Sequence, residues 1–530
     1  MPVRLKYLLP VLLIAATIGL YWPSLHYLPF FDDTNFFENG LLQDIFLKGF
    51  AFEIRWLPYI ITAWVDLIFD DPIFAQRSLN VGLHLATGFV LHALILQVAD
   101  HVAPHFNNKR AALAATLLFL LHPLAVYAVG YLIQRTILMA TLFGLLTLST
   151  YFDALVKRKK AFFLFSALFY LLSSFSKEHA VLVPAAALAL TPLAVPITRH
   201  IWRELVIPCA LYLPIALLVI YMKLGLLGTV YEPFAEQLGG VPYSWSLSVM
   251  TQAALFFKYL GLMLVPYPGW MSIDMRVPMA THYWQPKYWL GLVALAGYAA
   301  ISLIWLLKGG RRGLLGFALL APLLLFAVEF STVKIQEPFV LYRSYLWLAP
   351  LFLMIPAVSH MIPDKLFWPI VLIVALAFAY SSSDRLRSFS SAYALWDDAV
   401  QKLPDGPALG AARVYTNRGG LAMKHGDLKM AMADFTHALQ ADSGYKSALS
   451  GRAFAHMKLG EYQAALTDAN AVIRLDSGDR SSYIVRGHVY KSRGDFDLAK
   501  ADFKHGCQQK RWVDACITLL SRPDPAKPKP

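Results

Sequence analysis

The chain has 530 residues, of which 57% are hydrophobic and 15% are charged, and its mean hydropathy is +0.50. Because soluble domains average about a quarter charged residues, this composition excludes an ordinary soluble protein and predicts a polytopic helical membrane protein. The net charge of +13 lies mostly in short clusters between apolar spans, without a basic stripe of interleaved aromatics, so it indicates membrane topology and not nucleic-acid binding.

Eleven apolar stretches approach the roughly twenty residues that a helix needs to cross a bilayer. They lie near residues 8–25, 72–99, 111–130, 132–152, 161–176, 180–197, 204–222, 288–307, 313–329, 344–360 and 366–381. The first stretch is similar to a signal peptide, but no small-residue cleavage site follows it, which favours a retained anchor. We therefore predict about eleven spans in a transmembrane domain covering residues 1–383.

Two adjacent acids, Asp32 and Asp33, stand among aromatic residues just after the first span. Acids at the edge of a bilayer are costly to desolvate, so they either face headgroups or cap a helix, or they belong to a site. The external loop 26–70 that follows mixes aromatic and charged residues. It is typical of amphipathic helices lying on the outer leaflet, which would hold the acidic pair at interface depth.

A twelfth apolar stretch, Ser246 to Pro266, contains Lys258 and is followed by Pro268. The positive-inside rule places every basic cluster in the cytoplasm only if this stretch does not cross. We therefore predict a re-entrant or interfacial helix within one large external loop, 223–287. The N-terminus is then cytoplasmic and the C-terminus extracytoplasmic, in a bacterial inner membrane or, in a eukaryote, the endoplasmic reticulum.

The predicted outer face also collects the other uncommon polar groups at span ends. They are His122, Arg135, Lys177, Glu178, Tyr342 and Arg343. A lone charge at such a position is more often a snorkelling side chain or a structural pair than a catalyst. Their joint placement on one face favours a site.

The C-terminal part becomes more polar at Asp384 and repeats with a period of 34 residues. Equivalent positions are Arg418, Arg452 and Arg486; Gly426, Gly460 and Gly494; and Ala431, Ala465 and Ala499. This period predicts three tetratricopeptide repeats at 415–448, 449–482 and 483–516, after a linker and leading helix at 384–414. Such a solenoid offers a concave surface to a protein partner, and the Pro/Lys tail 517–530 is predicted to be disordered.

Three cysteines give no disulfide framework, since Cys209 lies in an apolar span and Cys507 and Cys516 lie near the C-terminus. An oxidising compartment would allow a disulfide between Cys507 and Cys516, and reduced core cysteines are the alternative. The pairing stays open.

The remaining chemistry is that of acids and bases facing outward, because no Gly-rich phosphate loop, zinc spacing or Gly-x-Ser-x-Gly elbow occurs. Outside the cytoplasm a group transferase would use a lipid-borne donor, such as a polyprenyl-phosphate sugar. One carboxylate of Asp32 or Asp33 can act as general base on an acceptor hydroxyl. Arg135, Lys177 or Arg343 can stabilise the leaving phosphate.

An ordered set of short motifs resembles one family. Asp32-Asp33 is followed by Asn80-Val81-Gly82-Leu83-His84, His122-Pro123 with Arg135, Ser176-Lys177-Glu178, a Tyr/Arg-rich stretch at 342–347 and the repeats. This order is similar to that of the transmembrane-and-tetratricopeptide-repeat protein O-mannosyltransferases and their bacterial relatives, which are GT-C glycosyltransferases. The resemblance covers nearly the whole chain.

The resemblance implies a polyprenyl- or dolichyl-phosphate sugar donor, an inverting mechanism, and a Ser/Thr-bearing protein acceptor presented by the repeats. It implies that Asp32 or Asp33 is the catalytic base. It also implies that Arg135 and Lys177, and less directly Arg343, contact the donor phosphate.

One position departs from the family pattern. The family usually has a Glu five residues after the His of His-Pro, and Tyr127 stands there in this chain. The second acidic ligand of metal-dependent members is therefore in doubt, and a divalent metal is neither assigned nor excluded.

Each of the residues that would support the site has two interpretations, a role in the site or a purely structural role. Lys177-Glu178 is either part of the site or a structural ion pair. Asn80 and His84 lie four residues apart on one helix face, where hydrogen bonds between helices are more frequent than substrate contacts. His122 before Pro123 has the same two alternatives, and Tyr342 lies beside Arg343.

The predicted fold is all-α: a GT-C-like transmembrane bundle followed by a tetratricopeptide α-solenoid. The predicted function is transfer of a sugar from a lipid phosphate to a protein hydroxyl. A transferase acting on a lipid-linked glycan or polymer is the second hypothesis, and a non-enzymatic membrane-anchored scaffold for envelope assembly is the third. Transport is weaker, because no span is visibly interrupted midway by Gly or Pro and the charges lie at span ends.

Overall fold

A computed structural model of the chain describes residues 3–38, 40–223, 237–238, 241–242, 244–333, 335, 337–404 and 408–507. Most of these residues are helical, which confirms the predicted all-α class. They form two compact units. The membrane unit lies within Met1–Ile273 and Met279–Ser391, and the repeat unit lies within Asp274–Pro278 and Ala392–Pro530.

The described part of the membrane unit is built from long apolar helices and short outer ones. Its α-helices are α1 (Val3–Tyr21), α2 (Asp32–Glu38), α3 (Leu41–Lys48), α4 (Trp56–Ile68), α5 (Pro72–Val102), α6 (Asn108–Leu120), α7 (Val126–Val129), α8 (Arg135–Val156), α9 (Ala161–Ser176), α10 (Val183–Ala189), α11 (Thr191–Ala194), α12 (Arg199–Lys223), α13 (Trp245–Leu264), α14 (Pro286–Leu307), α15 (Gly310–Phe326), α16 (Ser344–Leu351), α17 (Met354–Val358) and α18 (Asp364–Ser388). Short 3-10 helices lie at Trp22–His26, Pro123–Ala125, Leu132–Gln134, Glu178–Leu182, Pro268–Trp270, Ala327–Phe330, Leu341–Arg343 and Ser359–Met361. Strands β1 (Gln237–Leu238) and β2 (Val241–Pro242) pair antiparallel, with Gln237 opposite Pro242 and Leu238 opposite Val241.

Among the described residues, eight helices are long and apolar enough to cross a membrane. The number of candidate spans rises to ten if each of two bent helix pairs is counted as one span. The bent pairs are α6 with α7 and α16 with α17, at the predicted spans 111–130 and 344–360. Two further predicted spans correspond to shorter apolar helices, at Ala161–Ser176 and Glu178–Ala194. The chain is therefore an integral membrane protein, and nine of the eleven predicted spans correspond to these helices or bent pairs among the described residues.

The predicted non-crossing stretch is helix α13, which by length and composition alone would qualify as a span. The helices before and after it in the chain, α12 and α14, are antiparallel, and α12 ends at the end of the bundle that carries Asp32, called the acidic end below. α12 ends there, because Lys223 Nζ lies 3.8 Å from Glu178 Oε1. α14 runs the opposite way, since its last residue, Leu307, lines one groove with Trp202 near the start of α12. The predicted non-crossing of α13, within an external loop 223–287, therefore stays a prediction.

Small residues bring the bundle helices close together, as in other membrane proteins. A Cβ added at Gly316 of α15 would lie 2.3 Å from the backbone nitrogen of Leu306, and one at Gly88 of α5 would lie 2.6 Å from Leu120 of α6. The central helix α8 is tied to α9 by Ser173, whose hydroxyl donates to the carbonyl of Ala140 at 2.6 Å. The bundle helices are therefore closely packed at these positions.

Helices α3 and α4 expose apolar side chains, a pattern typical of helices at a membrane surface, and their location on the outer leaflet stays a prediction. Leu47 is 73% exposed and Ile68 is 72% exposed. The inner faces are held by specific contacts, such as the indole of Trp56 donating to the carbonyl of Gly49 at 2.8 Å. These helices thus form a platform beside the acidic pair.

The repeat unit contains α19 (Ala392–Gln401), α20 (Ala411–Lys424), α21 (Leu428–Ala441), α22 (Lys446–Leu459), α23 (Tyr462–Leu475), α24 (Arg480–Arg493) and α25 (Phe496–Gly506) within the described residues. The predicted helix pairs are confirmed. Helix α18 continues past the predicted domain boundary at 383 and ends at Ser388. Residues 508–516 of the third repeat, with Cys516, and the tail 517–530 lie outside the described residues.

The 34-residue period has a structural cause in each repeat. The arginine of the first helix binds the aspartate sixteen positions later in the second helix: Arg418 with Asp434, Arg452 with Asp468, and Arg486 with Asp502, each at 2.7 Å. The turn between the helices contains Gly426, Gly460 or Gly494, each with a positive φ. Glycine adopts that conformation without steric penalty, so the repeat is specified locally.

Candidate functional site

The turn at residues 131–133 donates hydrogen bonds to both acids of the pair, to Asp32 from a side chain and to Asp33 from the backbone. Asp33 is fully buried and accepts hydrogen bonds from the backbone N–H groups of Leu132, at 3.2 Å, and Ile133, at 2.8 Å. Asp32 is exposed and accepts a hydrogen bond from the hydroxyl of Tyr131 at 2.8 Å. Neighbouring side chains on a helix diverge by about 100°, so one carboxylate faces inward and the other outward.

The environment of Asp33 makes it an anchor. Burial raises the pKa of Asp33 to about 7, and the N–H of Ile133, the charge of Arg77 and the N–H of Leu132 oppose that rise. The carboxylate satisfies two backbone donors at the start of a 3-10 helix, which fixes the 131–133 turn against α2. Of the two predicted catalytic acids, Asp33 is therefore placed to support the site and not to contact a substrate.

Asp32 lines a cavity of about 250 Å³ at the acidic end. Its charged lining residues are Asp32, Arg55, Lys177, Glu337 and Arg343, and Tyr59, Gln134, Thr136, His179 and Tyr342 complete the polar wall. Four sequence-predicted residues thus meet in one space: Asp32, Lys177, Tyr342 and Arg343. The cavity has both an acid and cations.

Lys177 lies between the two apolar segments Ala161–Ser176 and Glu178–Ala194 and is 4% exposed. Its ammonium lies 5.4 Å from the ring centroid of Tyr342. Burial lowers the pKa of Lys177 to about 7, and the charges of Arg55 and Arg343 lower it further while Glu178 opposes the change. A buried ammonium at the edge of a cavity is suited to an anionic ligand, which would restore its charge.

The two arginines of the cavity are compensated by carboxylates. Arg343 binds Glu329 at 3.2 Å and Glu337 at 3.3 Å. Arg55 forms a two-pronged pair with Glu178, in which Nε donates to Oε2 at 3.0 Å. The structural ion pair foreseen for Lys177-Glu178 is therefore made by Arg55 with Glu178.

Arg135 does not reach the cavity, although it was predicted as a phosphate contact. It is 1% exposed, and its guanidinium donates to Asn80 Oδ1 at 2.9 Å, Thr62 Oγ1 at 2.7 Å and the carbonyl of Gln76 at 2.9 Å. The side chain thus joins α4, α5 and α8. Asn80 extends this network by donating to the carbonyls of Val129 and Leu132, each at 3.4 Å.

The predicted histidines and Tyr127 also lie in the bundle interior. His84 bonds the hydroxyl of Tyr345 at 2.7 Å and the carbonyl of Leu120 at 3.1 Å. His122 bonds the carbonyl of Met263 at 3.0 Å and accepts from the N–H of Leu124. Tyr127 packs edge-on against Phe389. These contacts hold the bundle helices together, so they fit a structural role for these residues and not a role in the site.

Within the described residues, no group of three or more His, Cys, Asp or Glu side chains is arranged to hold a metal ion. The acids nearest the cavity are instead engaged with cations, as Glu178 and Glu329 are.

Several residues of the site were missed in the sequence. Arg55, Tyr59, His179 and Glu337 line the cavity, and Tyr131 binds Asp32. A usable signal existed for Glu329, which is a lone acid at the end of the apolar stretch 313–329. The pairing of Arg55 with Glu178, 123 positions apart, had no such signal.

Comparison with known proteins identifies the C-terminal unit. The tetratricopeptide repeat family model matches residues 412–445 and 481–511. The C-terminal unit is a tetratricopeptide array. The matched stretches correspond to the first and third helix pairs, and the intervening pair α22–α23 has the same Arg–Asp contact.

No curated protein matches the chain in sequence. Among solved structures, it is similar to the archaeal oligosaccharyltransferase AglB from Archaeoglobus fulgidus, solved in complex with an inhibitory peptide and a dolichol-phosphate. The identity is 14% and the TM-score 0.41, with 77% of this chain and 57% of that chain covered. The chain thus spans little more than half the length of that protein, and a likeness at this level decides neither its fold nor its activity.

Proposed function

We propose that the chain is an integral membrane glycosyltransferase of the GT-C type, which transfers a sugar from a polyprenyl-phosphate donor to a Ser or Thr hydroxyl of an extracytoplasmic protein. The observation that carries this proposal is the shared cavity of Asp32 and Lys177 at one end of an apolar bundle. The acid can accept the proton of the acceptor hydroxyl, and the cation can stabilise the charge of the donor phosphate. Both lie where an amphipathic donor would place its headgroup.

The proposed reaction is a single displacement. The acceptor hydroxyl gives its proton to Asp32 while its oxygen forms a bond to the anomeric carbon of the sugar. The bond between that carbon and the phosphate oxygen breaks, and the electron pair leaves with the lipid phosphate. Attack opposite to the leaving group inverts the anomeric centre.

Charge stabilisation of the leaving phosphate is the role proposed for Lys177. The phosphate needs a positive charge more than it needs a proton, and a preorganised cation in a water-poor cavity is worth more than one in bulk water. Arg343 is a weaker candidate, because Glu329 and Glu337 already compensate its charge. Tyr342 would position the ammonium through its ring.

The repeat array supports a protein acceptor. Tetratricopeptide solenoids bind proteins on an extended concave surface and do no chemistry themselves. The predicted topology puts this array on the same side of the membrane as Asp32. A protein held there would be on the side of the membrane on which the proposed transfer takes place.

A transferase that acts on a lipid-linked glycan remains the second candidate, because the same cavity would serve it. Membranes containing the protein are incubated with a polyprenyl-phosphate donor labelled in the sugar. We expect label in protein, released by β-elimination as an O-linked sugar. Label found only in lipid would favour the second candidate, and no transfer to either fraction would contradict the enzyme hypothesis.

A matched pair of variants completes this experiment. Asp32→Asn removes the proposed base, whereas Asp44→Asn makes the same change at an exposed acid of α3. Transfer is expected to disappear in the first and to persist in the second. A scaffold without catalytic activity would give no transfer in any of the three proteins.

A further inference from the structure

Five residues of the loop between α13 and α14 fold with the repeat unit. This segment, residues 274–278, is called the strap below. It precedes the repeats by more than a hundred positions, yet Asp274–Pro278 clusters with Ala392–Pro530 and not with the helices on either side of it in the chain. Its charged residues are buried: Asp274 is 7% exposed and Arg276 is 6% exposed.

The carboxylate of Asp274 binds the first repeat directly. Arg413 of α20 donates to Asp274 Oδ2 from Nε at 2.8 Å and from its terminal nitrogen at 2.7 Å. Arg276 of the strap binds the same carboxylate at 2.6 Å. Two guanidinium groups on one buried carboxylate make a charge-assisted contact that water does not screen, which is the strong form of this interaction.

A glycine makes room for the strap at the start of α20. Gly410 is the residue that precedes this helix, and its φ is +78°. A Cβ added there would lie 2.1 Å from a terminal nitrogen of Arg276 and 2.7 Å from Cζ. The guanidinium therefore lies against bare backbone, which only glycine offers. Tyr445, the residue just before α22, also interacts electrostatically with Arg413, Arg276 and Asp274. The strap therefore interacts with the beginnings of both α20 and α22.

We propose that the strap is an intramolecular ligand of the repeat array, which gives the array a second link to the chain, through the segment that joins α13 to α14. The recognising surface consists of Arg413, Gly410 and Tyr445, and its occupant is an extended segment with one carboxylate. The proposal is independent of any transferase activity. Its consequence is that a protein partner finds this part of the first repeat already occupied.

The test uses the full chain in membranes with a protease site inserted after Ser391. After cleavage, the tagged C-terminal fragment is expected to stay with washed membranes. Asp274→Arg is expected to release it at least about thirtyfold faster, as loss of a buried charge pair predicts. Combining Asp274→Arg with Arg413→Asp is expected to restore retention, and Asp497→Arg, an exposed acid of α25, is expected to change nothing.

Competition in trans identifies the occupant. A synthetic peptide with the sequence of residues 271–280 is expected to release the cleaved fragment, and the same peptide with arginine in place of its aspartate is not. Equal retention in the Asp274→Arg protein, or release of the wild-type fragment without peptide, would overturn the proposal.

Discussion

The hydroxyl of Tyr131 donates a hydrogen bond to Oδ2 of Asp32 at 2.8 Å, and the following two residues hold Asp33 through their backbone N–H groups. One turn therefore positions both acids. It presents one to the cavity and buries the other.

The two acids are expected to respond differently to the same substitution. Asp32→Asn should lower sugar transfer at least about hundredfold, because general-base catalysis contributes that much, while thermal unfolding in detergent stays unchanged. Asp33→Asn should lower the free energy of unfolding by about 1–3 kcal/mol, because one buried N–H loses its acceptor. Equal loss of stability in both variants would contradict the division of roles.

Tyr131 is expected to position the base without touching the substrate. Tyr131→Phe keeps the ring packing and removes the hydrogen bond, so we expect about a tenfold lower kcat. The acid limb of the pH–rate profile should move to higher pH, because the lost bond favoured the ionised carboxylate. Tyr298→Phe, which removes a hydroxyl bonded at 2.8 Å to Leu319, is the control and should leave the profile unchanged.

Donor binding should depend on pH through Lys177. The pKa of Lys177 is about 7 in the unliganded protein, so its ammonium is charged below that pH and neutral above it. Affinity for the lipid phosphate should therefore be highest below pH 7 and fall by up to about tenfold per pH unit above it. The measurement is the Kd of the donor between pH 6 and about pH 9.

Substitution isolates the contribution of that one lysine. Lys177→Arg carries a guanidinium that stays charged over this range, so affinity should become nearly independent of pH. Lys48→Arg, at an exposed position of α3, should retain the wild-type dependence. An identical decline in the wild type and the Lys177 variant would assign the pH dependence to another group.

The pair of Arg55 and Glu178 is expected to stabilise the fold. Glu178 is 2% exposed, so Glu178→Gln removes the buried carboxylate that compensates the partly buried guanidinium of Arg55 and should cost about 3–5 kcal/mol of unfolding free energy. Glu204→Gln breaks the exposed pair with His200 and should cost less than about 1 kcal/mol. Thermal unfolding of both variants measures the difference, and similar values would mean that the buried pair has no special role.

The sequence was most informative where structure is set locally. The Gly at 426, 460 and 494 and the Arg–Asp pair sixteen positions apart lie within single repeats, so their 34-residue period predicts the array. Hydropathy predicts the spans because each span is likewise one continuous stretch of sequence. Charge between spans predicts that α13 does not cross, whereas its length and composition are those of a span, so this point stays a prediction.

The sequence was least informative about which polar residues face the cavity. Arg135 and Lys177 both stand at span ends, and only the fold turns Lys177 toward the cavity and Arg135 into the contact of α4, α5 and α8. The compensation of Arg343 by Glu329 and Glu337 likewise depends on how separate helices pack. Such pairs leave no periodic pattern in a single sequence.

A structure of the full chain with a polyprenyl-phosphate sugar bound tests the central claim most directly. We expect a phosphate oxygen within about 3 Å of Lys177 Nζ, the hydrogen-bond distance of a charged pair. The face of the anomeric carbon opposite the phosphate should point toward Asp32. A donor phosphate bound at the other end of the bundle, or one bound with Asp32 facing away from the sugar, would contradict the account.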